Sequence, residues 1–140
     1  MDAYFSLGPY ARKISTRSEE AQTWFNRGLN WCYAFHHKEA TRCFEKMVGI
    51  DPGCPMGYWG IAYATGPYYN IPWEKMSPTG RPLAILAAYE NARRAADLSV
   101  SGDVAAVEKA LCGALIRRFQ ASDIDDLEVL SQWDDDYADA

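Results

Sequence analysis

The chain reads as an all-α fold of antiparallel helical hairpins stacked into a short α-α superhelix, and three observations carry that reading. Trp24, Gly28, Trp31, Ala40, Phe44 and Pro52 fall at the spacings of a helix-turn-helix unit, and the opening of the pattern returns about 34 residues later as Tyr58, Ile61, Ala62 and Thr65. Turn residues stand where the helices of such units would stop, at Asp51-Pro52-Gly53 and at Gly66-Pro67. The positions between them have packing reasons: Gly28 and Ala62 permit close helix approach, Ala40 is small at a crossing, and Phe44 fills the gap between helices.

Residues 1–17 are an irregular lead-in containing Gly8-Pro9. Ser18 offers an N-cap, with Glu19 and Glu20 favoured in the first turn of a helix running to about residue 33. Ala34-Phe35-His36-His37 is the turn, residues 38–49 form the partner helix, and the first repeat spans 19–54. The second repeat, 55–98, opens with a helix to about residue 65. It is then interrupted by an irregular aromatic insert, GPYYNIPWEKMSPTG (66–80). The helix predicted over 81–98 places Tyr89 and Ala92 where the first repeat has Phe44 and Met47, displaced by about 11 residues beyond one repeat. Ser101 is the expected cap of a helix over 101–119 with an apolar stripe of Val104, Val107, Leu111, Ala114 and Leu115. An acidic segment, 120–140, contains a last amphipathic stretch over 125–137. With only about two and a half hairpins, Trp133 and Tyr137 are expected to leave apolar surface at an open end.

At 140 residues, 49% hydrophobic and 14% aromatic, the chain has the apolar content of one globular domain and is not a disordered composition. It contains no run of about 18 apolar residues, and its N-terminus lacks the basic-then-apolar order of a signal peptide; the expectation is a cytoplasmic protein without membrane association. Cys32, Cys43, Cys54 and Cys112 form no CxxC pair and read as small buried hydrophobes rather than a disulfide framework. Eight acidic residues and no basic one follow Arg118, so residues 1–118 hold 11 of the 19 acids against all 14 Lys and Arg, a net +3. No basic stripe interleaved with aromatics is present and the tail repels phosphate, which argues against a nucleic-acid partner. The tail itself reads as a solvated terminus, with an acidic docking segment as the alternative.

The repeat pattern resembles the tetratricopeptide repeat (TPR). YFSLGPYARKISTRSEEAQTWFNRGL, WCYAFHHKEATRCFEK and DPGCPMGYWGIAYATGPYYN, followed by IPW, resemble the N-terminal part of larger fungal and bacterial TPR-domain proteins, over about residues 4–98. Family strings of the type AQxxFxxGL, YGFNHxEA and WGxAxxxGPxxN are matched, with departures at Ala34 and His36 in the turn, where Gly and Asn are commoner, and at Arg27 in place of Leu. The resemblance implies an interaction or scaffold role. Family members are typically several times longer, so a shortened member is a further expectation.

Two groups of residues are candidates for function. His36, His37 and Glu39 cluster imidazole and carboxylate, a combination able to do acid-base work or hold a metal. Adjacent histidines point apart, however, and a turn-stabilising role for His37 is the simpler reading; no metal or other cofactor is expected. The stronger group is aromatic: Trp59, Tyr63, Tyr68, Tyr69 and Trp73 around Asn70, which either bind a partner or fill a widened gap between helices. With Phe25, Leu29 and Cys32 on the first helix they predict an apolar concave face. It lacks the Lys, Arg and Asn set of TPR domains that grip chaperone carboxylates, Asn26 excepted.

Three functions fit. One is a TPR-type interaction module for a protein or peptide with apolar surface, including self-association. Another is a small-molecule-binding protein or enzyme accessory to a specialised-metabolite pathway, as the fungal resemblance implies. The third is a truncated member without its own activity. No nucleophile triad, phosphate loop or metal-ligand set selects a reaction, and an enzyme is the less favoured reading.

Overall fold

Ser18 opens the first helix: its Oγ accepts from the Ala21 N–H at 3.1 Å and Glu19 and Glu20 occupy the first turn, so α1 runs Glu19–Tyr33. The computed structural model describes residues 3–101 and 103–140. After α1 follow α2 (His37–Ile50), α3 (Pro55–Thr65), a 3-10 turn (Trp73–Lys75), α4 (Gly80–Ser99), α5 (Ala106–Arg118) and α6 (Leu127–Ala138). The described residues contain these six helices and no strand; the one β-type pairing is an isolated bridge between Tyr68 and Ile71.

Each helix packs on the next, and α1, α3 and α5 also touch in succession, which leaves these three along one side of the fold. The core runs through all six helices. At its centre Phe44 of α2 is fully buried between α1 and α3, because Gly28 and Gly60 present bare backbone to its ring. Ala40, Ala62, Ala88, Ala92 and Ala95 are likewise buried at the other crossings. The Arg27 guanidinium lies over the rings of Tyr4 and Trp24, 4.3 and 4.4 Å from their centroids, so a cation replaces the expected Leu by covering aromatic faces.

Several sequence expectations are corrected. Ser101 does not cap α5. The helix starts at Ala106 after Ala105, with no side-chain cap, and Ser15 from the lead-in ties this end down: its Oγ accepts from the Ala105 N–H (3.0 Å) and donates to Glu108 Oε1 (3.2 Å), which also accepts from the Ser15 N–H (2.7 Å). The buried face of α5 is therefore Glu108, Cys112 and Leu115, followed by Phe119, while Val107 is exposed and Val104 lies outside the helix. The acidic segment keeps most of its carboxylates exposed but folds and docks as α6. Asp126 caps α6 by accepting from Glu128 and Val129 N–H, Arg118 pairs with Asp134 at 3.0 Å, and Arg81 pairs with Asp125. Trp133, expected at an open end, is 5% exposed and Tyr137 is partly buried, because α6 folds back on α5 and the 3-10 turn.

All four cysteines are free and buried. Burial pushes the thiols of Cys32 and Cys112 up to about 12 and that of Cys54 to about 11, so they are neutral apolar groups at physiological pH. Among the described residues no helix is long and apolar enough to cross a membrane.

Candidate functional site

Two adjoining cavities open on the α1–α3–α5 side. The first, about 250 Å³, is lined by Phe25, Leu29 and Tyr33 of α1, Met56 and Trp59 of α3, and Leu111 of α5, with Tyr10 and Arg12 of the lead-in at its edge. The second, about 470 Å³, is lined by Cys32, Tyr33, Phe35, His37, Tyr63, Pro67, Tyr68, Tyr69 and Pro72, with Arg118 and Asp134 on its far wall. Tyr33 borders both. Trp59 of the first and Tyr63 of the second stack at 5.0 Å with an interplanar angle of 9°, so one aromatic wall joins them. These residues share a face because 25, 29 and 33 recur at fours on α1, as do 59 and 63 on α3.

The structure thus brings Phe25, Leu29, Trp59, Tyr63, Tyr68 and Tyr69 to one face, but not two of the other candidates. Trp73 is a core residue, 2% exposed and edge-on to the Phe119 ring at 6.1 Å. The insert folds its indole inward because the 3-10 turn lies against α6. Asn70 is exposed at the tip of the Tyr68–Ile71 turn and lines neither cavity. Phe25 contributes only an edge, since its side chain is fully buried against Phe44.

The histidine pair divides its work differently from the expectation for His37. His36 is the N-cap of α2, its Nδ1 accepting from the Glu39 N–H at 3.3 Å, and its ring packs on Trp31. His37 instead stacks flat on Tyr68 at 3.6 Å and 6°, with its Nδ1 buried and, among the described residues, without a hydrogen-bond partner of normal geometry. Burial lowers its pKa, opposed by the Phe35 backbone and reinforced by His36, so the ring is neutral near pH 7. Glu39 turns elsewhere, accepting from Tyr4 Oη at 3.0 Å and pairing with Arg42 at 3.2 Å. The three groups converge on no common point.

Phe35 is the feature the sequence reading missed. It is the one non-glycine residue among those described with positive φ, at 59°. The α1 C-terminus explains the geometry: Phe35 N–H donates to Cys32 O at 3.0 Å and His36 N–H to Trp31 O at 2.9 Å, the paired bonds of a Schellman turn. That turn favours glycine at this place, yet it holds a 56% exposed aromatic ring at the cavity mouth. Phe35→Gly is expected to raise stability by about 0.5–1 kcal/mol, the relief of left-handed strain exceeding the added chain entropy. A urea midpoint below wild type would show that the ring contributes packing instead.

Comparison with protein-family models, with curated proteins and with solved structures gives no match.

Proposed function

We propose that the chain is a TPR-type interaction module whose aromatic face on α1 and α3 seats apolar side chains of a protein or peptide partner. The observation that carries this reading is the pair of joined cavities walled by Tyr33, Trp59 and Tyr63 and rimmed by two aromatics held out toward solvent, Phe35 and Tyr69, the latter 89% exposed. The repeat spacing and the succession of α1, α3 and α5 along one side support the TPR assignment.

A second reading, a small-molecule carrier serving a biosynthetic pathway, is favoured by the size of the larger cavity, about 470 Å³, which suits a metabolite. Affinity capture with the intact chain beside a thermal-shift screen of metabolites separates the two, because a ligand of the native state raises Tm by mass action. Tyr69→Ala is the decisive variant. Its side chain is exposed, so folding should change by no more than about 0.5 kcal/mol, whereas partner binding should weaken by about 2 kcal/mol. Trp73→Ala is the contrast, lowering stability through the core. Capture undiminished by Tyr69→Ala and Tyr63→Ala would refute the aromatic face as the docking surface. No capture and no metabolite shift would favour a member without its own activity.

A further inference from the structure

The lead-in crosses α1 in a manner that suggests a bound peptide rather than a packed tail. Gln22, Asn26 and Asn30 recur at fours along one face of α1 and hydrogen-bond the lead-in backbone in sequence. Gln22 Oε1 accepts from Ile14 N–H (3.0 Å), Gln22 Nε2 donates to Arg12 O (2.7 Å), Asn26 Oδ1 accepts from Arg12 N–H (3.1 Å), and Asn30 Nδ2 donates to Tyr10 O (3.1 Å). Four helical residues rise about 6 Å and two extended residues span about 6.6 Å, so one amide side chain per helical turn matches alternate residues of an extended chain running antiparallel to the helix.

Almost nothing but these amides holds the middle of the segment. Its ends are anchored: Tyr4 packs edge-on to Trp24 and accepts from Trp31 Nε1 at 2.7 Å, while Ile14 is buried and Ser15 is tied to Glu108. Between them, residues 8–13 are exposed, and a cavity of about 340 Å³ lies between the segment and α1, bordered by Leu7, Pro9, Asn26 and Asn30. Toward the groove Tyr10 lies edge-on to Tyr33 at 5.3 Å with their hydroxyls 3.4 Å apart. Tyr10 and Arg12 then border the smaller cavity beside Trp59.

We propose that residues 6–13 are a displaceable strap, and that the Gln22–Asn26–Asn30 face beneath them binds an extended peptide from a partner, read through its backbone and through one aromatic side chain taking the place of Tyr10. This deepens the groove reading and rests on it, because the displaced strap uncovers the edge of the cavity at Trp59. The amides are blind to side chains, so the aromatic supplies the selectivity, and the strap in its closed position lowers apparent affinity by the fraction of time it is open.

The probe is a blocked peptide of residues 6–13, acetyl-Ser-Leu-Gly-Pro-Tyr-Ala-Arg-Lys-amide, titrated into the full chain while the side-chain amide signals of Gln22 and Asn30 are followed by NMR. The host variant is Tyr10→Ala with Arg12→Pro, which removes the ring contact and the N–H given to Asn26 while leaving Ile14 and Ser15 in place; Tyr10→Ala alone serves if the double variant melts early. The expected result is saturation of both amide signals at about a tenfold lower peptide concentration than in wild type. A probe with its Tyr replaced by Ala should bind weakly, and Asn30→Leu in the variant background should abolish the gain. Gln22 and Asn30 signals unmoved by millimolar probe in the variant would overturn the proposal, as would signals identical between wild type and variant before any probe is added, since the strap would then be held by something other than these bonds. The groove reading fails separately, through partner capture that ignores Tyr63 and Tyr69.

Discussion

Gly28→Leu and Gly60→Leu should each destabilise the domain by about 3 kcal/mol or more, and even Gly60→Ala should cost about 1–2 kcal/mol although alanine is the better helix former by about 1 kcal/mol. The reason is a shared neighbour. A Cβ built on either glycine would lie closer than 3.0 Å to ring carbons of Phe44, one from the α1 side and one from the α3 side, and the ring is fully buried. It cannot retreat from one glycine without striking the other. Gly113 in α5 is the internal control: a Cβ there meets nothing within 4 Å, so Gly113→Ala should stabilise by up to about 1 kcal/mol. Because both glycines act through one ring, Phe44→Leu should recover part of the loss in Gly60→Ala, a coupling that a double-mutant cycle in urea measures directly. A wild-type unfolding midpoint for Gly28→Leu would dissolve the alignment of α1, α2 and α3 on which the repeat reading stands.

The sequence made some of this arrangement legible and hid the rest for identifiable reasons. The limits of α1 and α3 are set by local chemistry, Ser18 and its two glutamates at one, Pro55 and Gly66-Pro67 at the other, and such signals need no tertiary knowledge. Gly28 and Phe44 stand at repeat positions, but Gly60 does not: the repeat pairs Gly28 with Ala62, and only the packing of α3 reveals that Gly60 also faces the ring. The start of α5 is not legible because Ala105 carries no capping side chain and the group that ties this end down, Ser15, lies 90 positions away. The inward turn of Trp73 is not legible because an aromatic-rich insert does not state which ring turns inward; its partner, Phe119, is far along the chain. The strap left one readable trace, the polar residues Gln22, Asn26 and Asn30 at intervals of four along α1. Phe35 left none, since positive φ at a bulky residue is visible only in the backbone.

The C-terminal helix carries the second large effect. Trp133→Ala should remove about 3 kcal/mol of stability, roughly 10 °C in Tm for a chain of this size, because the indole and Leu130 are the buried anchors of α6 on α5 and the 3-10 turn. Large-to-alanine losses at such sites reach about 5 kcal/mol, but α6 is the last element and can undock without unfolding the rest, which limits the cost. Undocking breaks the Arg118–Asp134 pair and the Gln120–Asp136 hydrogen bond, uncovers the face of α5 on which α6 packs, and takes Asp134 from the wall of the larger cavity. The variant should therefore self-associate through that face. Asp134, Asp135 and Asp136 on the freed segment oppose close approach at low salt, so sedimentation should show more dimer as ionic strength rises from about 0.01 M to 0.15 M and the screening length falls from about 30 Å to 8 Å. The larger cavity should lose affinity for any partner in parallel, even though Trp133 does not line it. A Trp133→Ala chain with wild-type Tm, unchanged sedimentation at both salts and undiminished binding would mean that α6 is not the element closing this end of the fold.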